Sequence, residues 1–191
     1  MTNQTLLNQL INSVQQYKGR IIDQPTLLQA GVLMAITDEL DPHLILTRRA
    51  AHLSKHSGEV AFAGGKRDDT DPDIVFTALR EAHEEIDLSI QDVTVIGQLD
   101  QVVSRFGYVV TPIVGIIPAD ITFTANLDEL DAVFKVPLRF FLETEPHDYF
   151  ERGSFSIPSF HYDGFRIWGL TAMMITEMVN NHLNGTISIR F

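Results

Sequence analysis

With 191 residues, 45% of them hydrophobic, the chain can bury one sizeable core, as a single domain or one domain with appendages. Fourteen Lys and Arg against 25 Asp and Glu give a formal charge of −11, which repels nucleic-acid backbones and excludes a general DNA or RNA binder. A small phosphorylated ligand bridged by metal is still allowed. The absence of Cys rules out disulfides, thiolate zinc sites and a cysteine nucleophile, and makes the reducing cytoplasm the expected location.

The N-terminal MTNQTLLNQLINSVQQYKGR lacks a basic start followed by an unbroken apolar core, and no segment approaches ~18 consecutive apolar residues, so no membrane association is expected. Leu6, Leu7, Leu10, Ile11 and Val14 fall at helical spacing and predict an amphipathic helix packed on the main body, within an N-terminal segment of residues 1–25. The remainder, 26–191, reads as one domain. Gly31–Thr37 and Leu44–Thr47 predict two buried strands joined through the turn-rich Asp38–Pro42. Ile74, Ala78, Ala82 and Ile86 form the apolar stripe of a helix over 74–86. Strands are expected again at Thr94–Ile96 and Tyr108–Ile117, and Tyr162-Asp-Gly-Phe165 reads as a tight hairpin leading into Arg166–Trp168. Trp168 is expected in the core. A last helix is predicted over Ala172–His182 with Thr171 as its N-cap. Strands before and after a central helix, with no repeat or obvious linker, predict one α+β domain with a mixed sheet.

The stretch that carries chemistry begins at Gly64-Gly65, directly after the apolar Val60–Phe62, where two residues without Cβ let the chain turn sharply and bring its backbone close to a ligand. Beyond it, Arg80-Glu-Ala-His-Glu-Glu85 places Glu81, Glu84 and Glu85 at i, i+3 and i+4, so that three carboxylates gather on one side of the helix. Alone, such a triplet is a solvated charged face. Behind a Gly-Gly turn it suits a divalent cation, which resolves the repulsion; Mg²⁺ in particular takes carboxylate oxygens together with water and substrate phosphates. Arg49 and Lys55 are candidate contacts to substrate phosphates, while His56 and His83 are read as structural or exposed.

From Gly65 through Asp71 to Arg80-Glu81, Ala82, Glu84, Glu85 and Leu88, the sequence resembles the Nudix hydrolases, whose box runs Gly, five residues, Glu, seven residues, then Arg-Glu-U-x-Glu-Glu-x-Gly-U with U aliphatic. It departs where Asp71 replaces Glu, where one residue is added between Asp71 and Arg80, and where Asp87 replaces the late Gly. Asp87 is compatible with a left-handed cap, and the added residue falls in a loop containing Pro72. Upstream, Leu46-Thr-Arg-Arg49, Leu53-Ser-Lys-His56 and Gly58-Glu-Val-Ala-Phe62, and downstream Ser104-Arg-Phe-Gly107, Glu129, Val136-Pro-Leu138 and Ile167–Ala172, resemble the coenzyme A pyrophosphatase branch. Ala63 stands where that branch usually has Pro, and Ser54 where it usually has a basic residue.

The resemblance implies a Nudix-type mixed sheet sandwiched between helices, and Mg²⁺- or Mn²⁺-dependent hydrolysis of a diphosphate in a nucleotide substrate, coenzyme A or a derivative above all. Another nucleotide (ADP-ribose, a dinucleotide or an NTP), or a binding module without turnover, are the alternatives. On the same resemblance, Glu81 and Glu85 are direct metal ligands, Glu84 is a third ligand or orients water, and Arg80 orients the glutamates. Glu84 and Glu129 are candidates for the general base, and Gly64 and Gly65 approach the substrate. No nucleic-acid or membrane partner is implied, and a homodimer is left open. If the segment from Arg49 to Gly58 reads coenzyme A, its basic groups should meet the 3′-phosphate.

Overall fold

The structure, a computed structural model, describes residues 5–52, 57–152 and 155–189. It opens with helix α1, Leu6–Gln16, capped by the Thr5 hydroxyl, which accepts from the Asn8 amide at 3.3 Å. Leu7, Leu10 and Val14 bury the stripe expected from their spacing.

Eight strands form one mixed sheet: β1 (Leu28–Asp38), β2 (His43–Arg49), β3 (Val60–Ala61), β4 (Ala63–Lys66), β5 (Thr94–Gln98), β6 (Val102–Val103), β7 (Tyr108–Pro118) and β8 (Leu130–Pro137). At its centre β1 and β7 run parallel from Leu28↔Tyr108 to Asp38↔Pro118, and the other pairings are antiparallel. Both central strands are near-continuous apolar runs because both faces are covered. Alternation decides which side chain goes where. Leu33 and Ala35 join Ala78, Ala82 and Ile86 of helix α2 (Ile74–Ile86) on one face. Met34 and Ile36 point the other way, into a core shared with Leu10 and with Met178 of helix α4 (Gly169–His182). The sheet is therefore held between helices, as the sequence predicts. Close seating of α2 depends on Gly31, where a Cβ would come within 2.7 Å of the Ile74 carbonyl oxygen.

Helix α2 starts at Asp73, whose side chain accepts from the Phe76 amide at 2.8 Å, and ends at Asp87 in the left-handed region (φ 56, ψ 32). Asp87 thus fills the cap that the family pattern gives to Gly. After β8 come helix α3 (Leu138–Glu143) and a second, three-stranded sheet of β9 (Asp148–Arg152), β10 (Phe155–Tyr162) and β11 (Phe165–Ile167). The predicted hairpin is present, with Tyr162 paired to Phe165 and positive φ at Asp163 (48) and Gly164 (81).

Two expectations fail here. Helix α4 begins at Gly169, which enters with φ 61, and its N-cap is Trp168 without a side-chain bond. Thr171 lies inside the first turn, where its hydroxyl donates to the Val60 carbonyl at 2.9 Å; a tertiary partner has claimed the group that looked like a cap. Trp168 is half-buried rather than in the core, set edge-on to Phe150 and beneath the Arg166 guanidinium. Among the described residues no helix is long and apolar enough to cross a membrane.

Candidate active site

Gly64 and Gly65 lie within β4, paired to Val32 and Gly31 of β1, and so make a strand rather than the sharp turn expected. Their lack of Cβ serves close approach instead. A Cβ on Gly64 would stand 2.5 Å from the Gly31 carbonyl oxygen, and one on Gly65 would stand 2.5 Å from the carboxyl carbon of Glu81. The acidic edge of α2 can therefore lie flat on β4, and the Gly64 amide donates to Glu85 Oε2 at 3.2 Å.

Arg80 organises the exposed side of this edge. Its Nε and Nη2 donate to Asp71 Oδ1 and Oδ2, each at 3.0 Å, in a two-pronged pair. The same guanidinium reaches Glu81 at 2.9 Å, Glu84 at 3.0 Å and the Lys66 carbonyl at 3.3 Å. Asp71 is buried and also accepts from the Asp68 amide (3.0 Å) and the Thr77 hydroxyl (2.9 Å). The Arg80 guanidinium and these further donors hold its carboxyl well below the usual carboxylate range, against the effect of burial. The sequence marked Asp71 only as a substituted box position; its part as the anchor of Arg80, together with Thr77, emerges from the fold.

Glu85 is only 4% exposed. Burial pushes its carboxyl up to about 8; the Gly64 amide and the Arg49 charge oppose the rise, and the charges of Glu81 and Glu129 add to it. Burial also raises Glu81, against the pull of Arg80. Glu84 is different: its side chain is 54% exposed and its contact is the ion pair with Arg80. His83 is exposed, in keeping with the bland role expected of it.

Glu129 reaches this centre through long-range backbone bonds. The loop before β8 docks on the last carbonyls of α2, with the Thr124 amide on Ile86 (3.1 Å) and the Asn126 amide on Glu85 (2.8 Å). From the opposite side, the Ala50 amide donates to the Glu129 carbonyl at 2.8 Å, which sets Arg49, at the end of β2, beside the acids. Arg49 Nε is buried and meets no hydrogen-bond partner among the described residues. Lys55, with Ser54 and His56, lies outside the described residues.

In this arrangement no three His, Cys, Asp or Glu side chains among the described residues stand close enough to enclose an ion, since Glu81 and Glu84 are both drawn to Arg80. The donor chemistry nevertheless fits a hard divalent cation: Glu81 and Glu85 are carboxylates kept partly desolvated, each penalised by the other acids around it.

A mixed sheet between helices, with a Gly-Gly strand packed under an acid-edged helix, defines an α+β fold. Residues 27–147 match the NUDIX domain family. Relatives named Uncharacterized Nudix hydrolase NudL, from Escherichia coli O7:K1 and Shigella boydii serotype 18, are each 46% identical over 154 residues, covering 78% of this chain and 80% of theirs. The chain belongs to the Nudix family. Among solved structures, a MutT/nudix family protein from Enterococcus faecalis superposes with a TM-score of 0.53 at 14% identity, over 95% of this chain and 71% of that one. The Nudix hydrolase RenU from M. smegmatis gives 0.51 at 19% identity, over 66% and 76%. At these identities the structures speak for the fold alone.

Proposed function

We propose that this Nudix hydrolase cleaves the diphosphate of a nucleoside diphosphate derivative, coenzyme A or a derivative of it, to 4′-phosphopantetheine and adenosine 3′,5′-bisphosphate. The observation that carries the reading is the buried Glu85, hydrogen-bonded to the Gly64 amide and set among Glu81, Glu129 and the unpartnered Arg49 Nε. Desolvated acids beside a guanidinium whose buried Nε lacks a partner among the described residues suit a ligand that brings both a divalent metal and phosphate oxygens. Glu81 and Glu85 would hold Mg²⁺ or Mn²⁺, which hydrolases of this family generally use. When bound, the ion neutralises the diphosphate and makes the attacking water more acidic.

The chain's own residues supply the rest. Gly64 and Gly65 keep the strand close to the acids, and Arg80, anchored by Asp71, aligns Glu81 and Glu84. Arg49 Nε donates to a diphosphate oxygen. Glu129 takes the proton from water as its oxygen attacks phosphorus and the P–O–P bond breaks, the leaving phosphate carrying away the bond's electron pair. No covalent intermediate is needed.

The test is purified protein with Mg²⁺ or Mn²⁺ and a panel of coenzyme A, ADP-ribose, NADH, diadenosine polyphosphates and dNTPs, with products separated. Coenzyme A should give the highest kcat/KM. Faster turnover of another member moves the substrate assignment to it, and no turnover of any member overturns the catalytic reading.

A further inference from the structure

The loop that delivers Glu129 to the acids of α2 turns on one residue, Asn126. The Asn126 amide donates to the Glu85 carbonyl at 2.8 Å, which fixes the residue to the end of α2. Its own carbonyl accepts from both the Glu129 amide (3.0 Å) and the Leu130 amide (2.8 Å). Its side-chain Oδ1 accepts from the Asp128 amide at 3.2 Å. The four-residue turn from Asn126 to Glu129 is thus closed at both ends by one residue. Leu127, 74% exposed, adds no packing that could hold the turn in its place.

We infer that Asn126 is a positioning residue for the reaction: through its Asx-type turn it sets where the Glu129 carboxyl stands relative to Glu85. This rests on the role given to Glu129 above. The backbone bonds of Asn126 survive its substitution, but the Oδ1 bond fixes the Asp128 amide within the exposed part of the turn, so losing the Oδ1 acceptor lets Glu129 sample positions out of line with the reacting water. Aspartate keeps an acceptor at the same place, whereas alanine removes it.

The experiment is a double-mutant cycle of Asn126→Ala and Glu129→Gln, with Asn126→Asp as the conservative control, on whichever of coenzyme A, ADP-ribose and diadenosine tetraphosphate the wild type cleaves fastest. Asn126→Ala should lower kcat about ten- to a hundredfold with little change in KM, Asn126→Asp should restore most of it, and Asn126→Ala should add nothing in the Glu129→Gln background. Additive losses, or a wild-type rate in Asn126→Ala while Glu129→Gln is slow, overturn the positioning role and leave Glu129 as the base. A wild-type rate in Glu129→Gln overturns both. A second readout needs no turnover: hydrogen exchange at the Asp128, Glu129 and Leu130 amides should quicken in Asn126→Ala and not in Asn126→Asp. Unchanged exchange in the alanine variant overturns the inference on its own.

Discussion

Arg80 grips Asp71 through two hydrogen bonds of 3.0 Å, and that pair explains how this chain tolerates its departures from the Nudix box. Asp is one methylene shorter than Glu, yet both of its carboxylate oxygens meet the guanidinium. The Thr77 hydroxyl and the Asp68 amide both donate to Oδ2 of the same carboxylate. Removing one partner of a buried, hydrogen-bonded pair leaves the other uncompensated, so Asp71→Asn should cost about 2–4 kcal/mol of stability, read by chemical denaturation at pH 7. Because the folded-state pKa of Asp71 is depressed, its contribution is present above the ordinary Asp range and lost as pH falls through the folded value. The destabilisation of the variant should therefore shrink in strong acid, and a constant difference from pH 7 to pH 2 would contradict this account.

Glu85 titrates in the opposite sense. Its folded pKa, pushed up to about 8, lies above the ordinary Glu range, so the stability tied to its protonated form is complete below that range and is lost as pH rises to about 8. Glu85→Gln keeps an acceptor for the Gly64 amide and removes the charge. Without metal, the variant should be more stable than wild type at pH 9 by about 2–4 kcal/mol and nearly equal to it at pH 4. Adding Mg²⁺ or Mn²⁺ should reverse the order by stabilising the wild type alone, while the variant loses catalysis by orders of magnitude. Glu177, raised by burial and by Asp100 to about 7, adds a slope of the same sign. The difference between variant and wild type, followed as Tm against pH, is therefore the quantity to read.

Gly65→Ala should fail in catalysis rather than in folding. The new Cβ would meet the carboxylate of Glu81, the far end of a flexible side chain, which can swing aside and leave the strand in place. Gly64→Ala would instead press on the backbone of β1. Gly65→Ala should thus keep a Tm within a few degrees of wild type and lose about tenfold or more in kcat/KM through misplacement of Glu81, whereas Gly64→Ala should lower Tm more steeply. Equal Tm losses in the two variants would argue against this division.

The glycines also show what the sequence could and could not say. A Gly pair is a local signal and reads as a turn, but what forbids a side chain is a helix edge more than ten residues away and a neighbouring strand, neither visible locally. Helix α2 was legible to its ends because Ile74, Ala78, Ala82 and Ile86 carry the period of the face they bury. The start of α4 was not, because Thr171 spends its hydroxyl on Val60, far off in the chain. The acids of α2 announced themselves by spacing, whereas the place of Glu129 beside them depends on amides of residues 124 and 126 bonding the end of α2. Nothing in the composition of that loop encodes those bonds.

Arg49 provides the sharpest test of substrate recognition. From the sequence, Arg49 and Lys55 were both candidates to read the 3′-phosphate of coenzyme A. Arg49, however, stands next to Ala50, which is bonded to Glu129, and its charge acts on Glu85. Its Nε, buried without a partner among the described residues, therefore stands with the acids, and under the proposed function it meets the diphosphate rather than the 3′-phosphate. The diphosphate is common to coenzyme A and dephospho-coenzyme A. Arg49→Ala should therefore lower kcat/KM on both by the same factor, roughly ten- to a hundredfold for one lost charge-assisted bond, and leave their ratio unchanged. Discrimination for the 3′-phosphate then falls to other groups, with Lys55→Ala as the variant expected to weaken coenzyme A alone. If Arg49→Ala instead narrows the gap between the two substrates, its guanidinium reads the 3′-phosphate, and the diphosphate must find its cationic partner elsewhere.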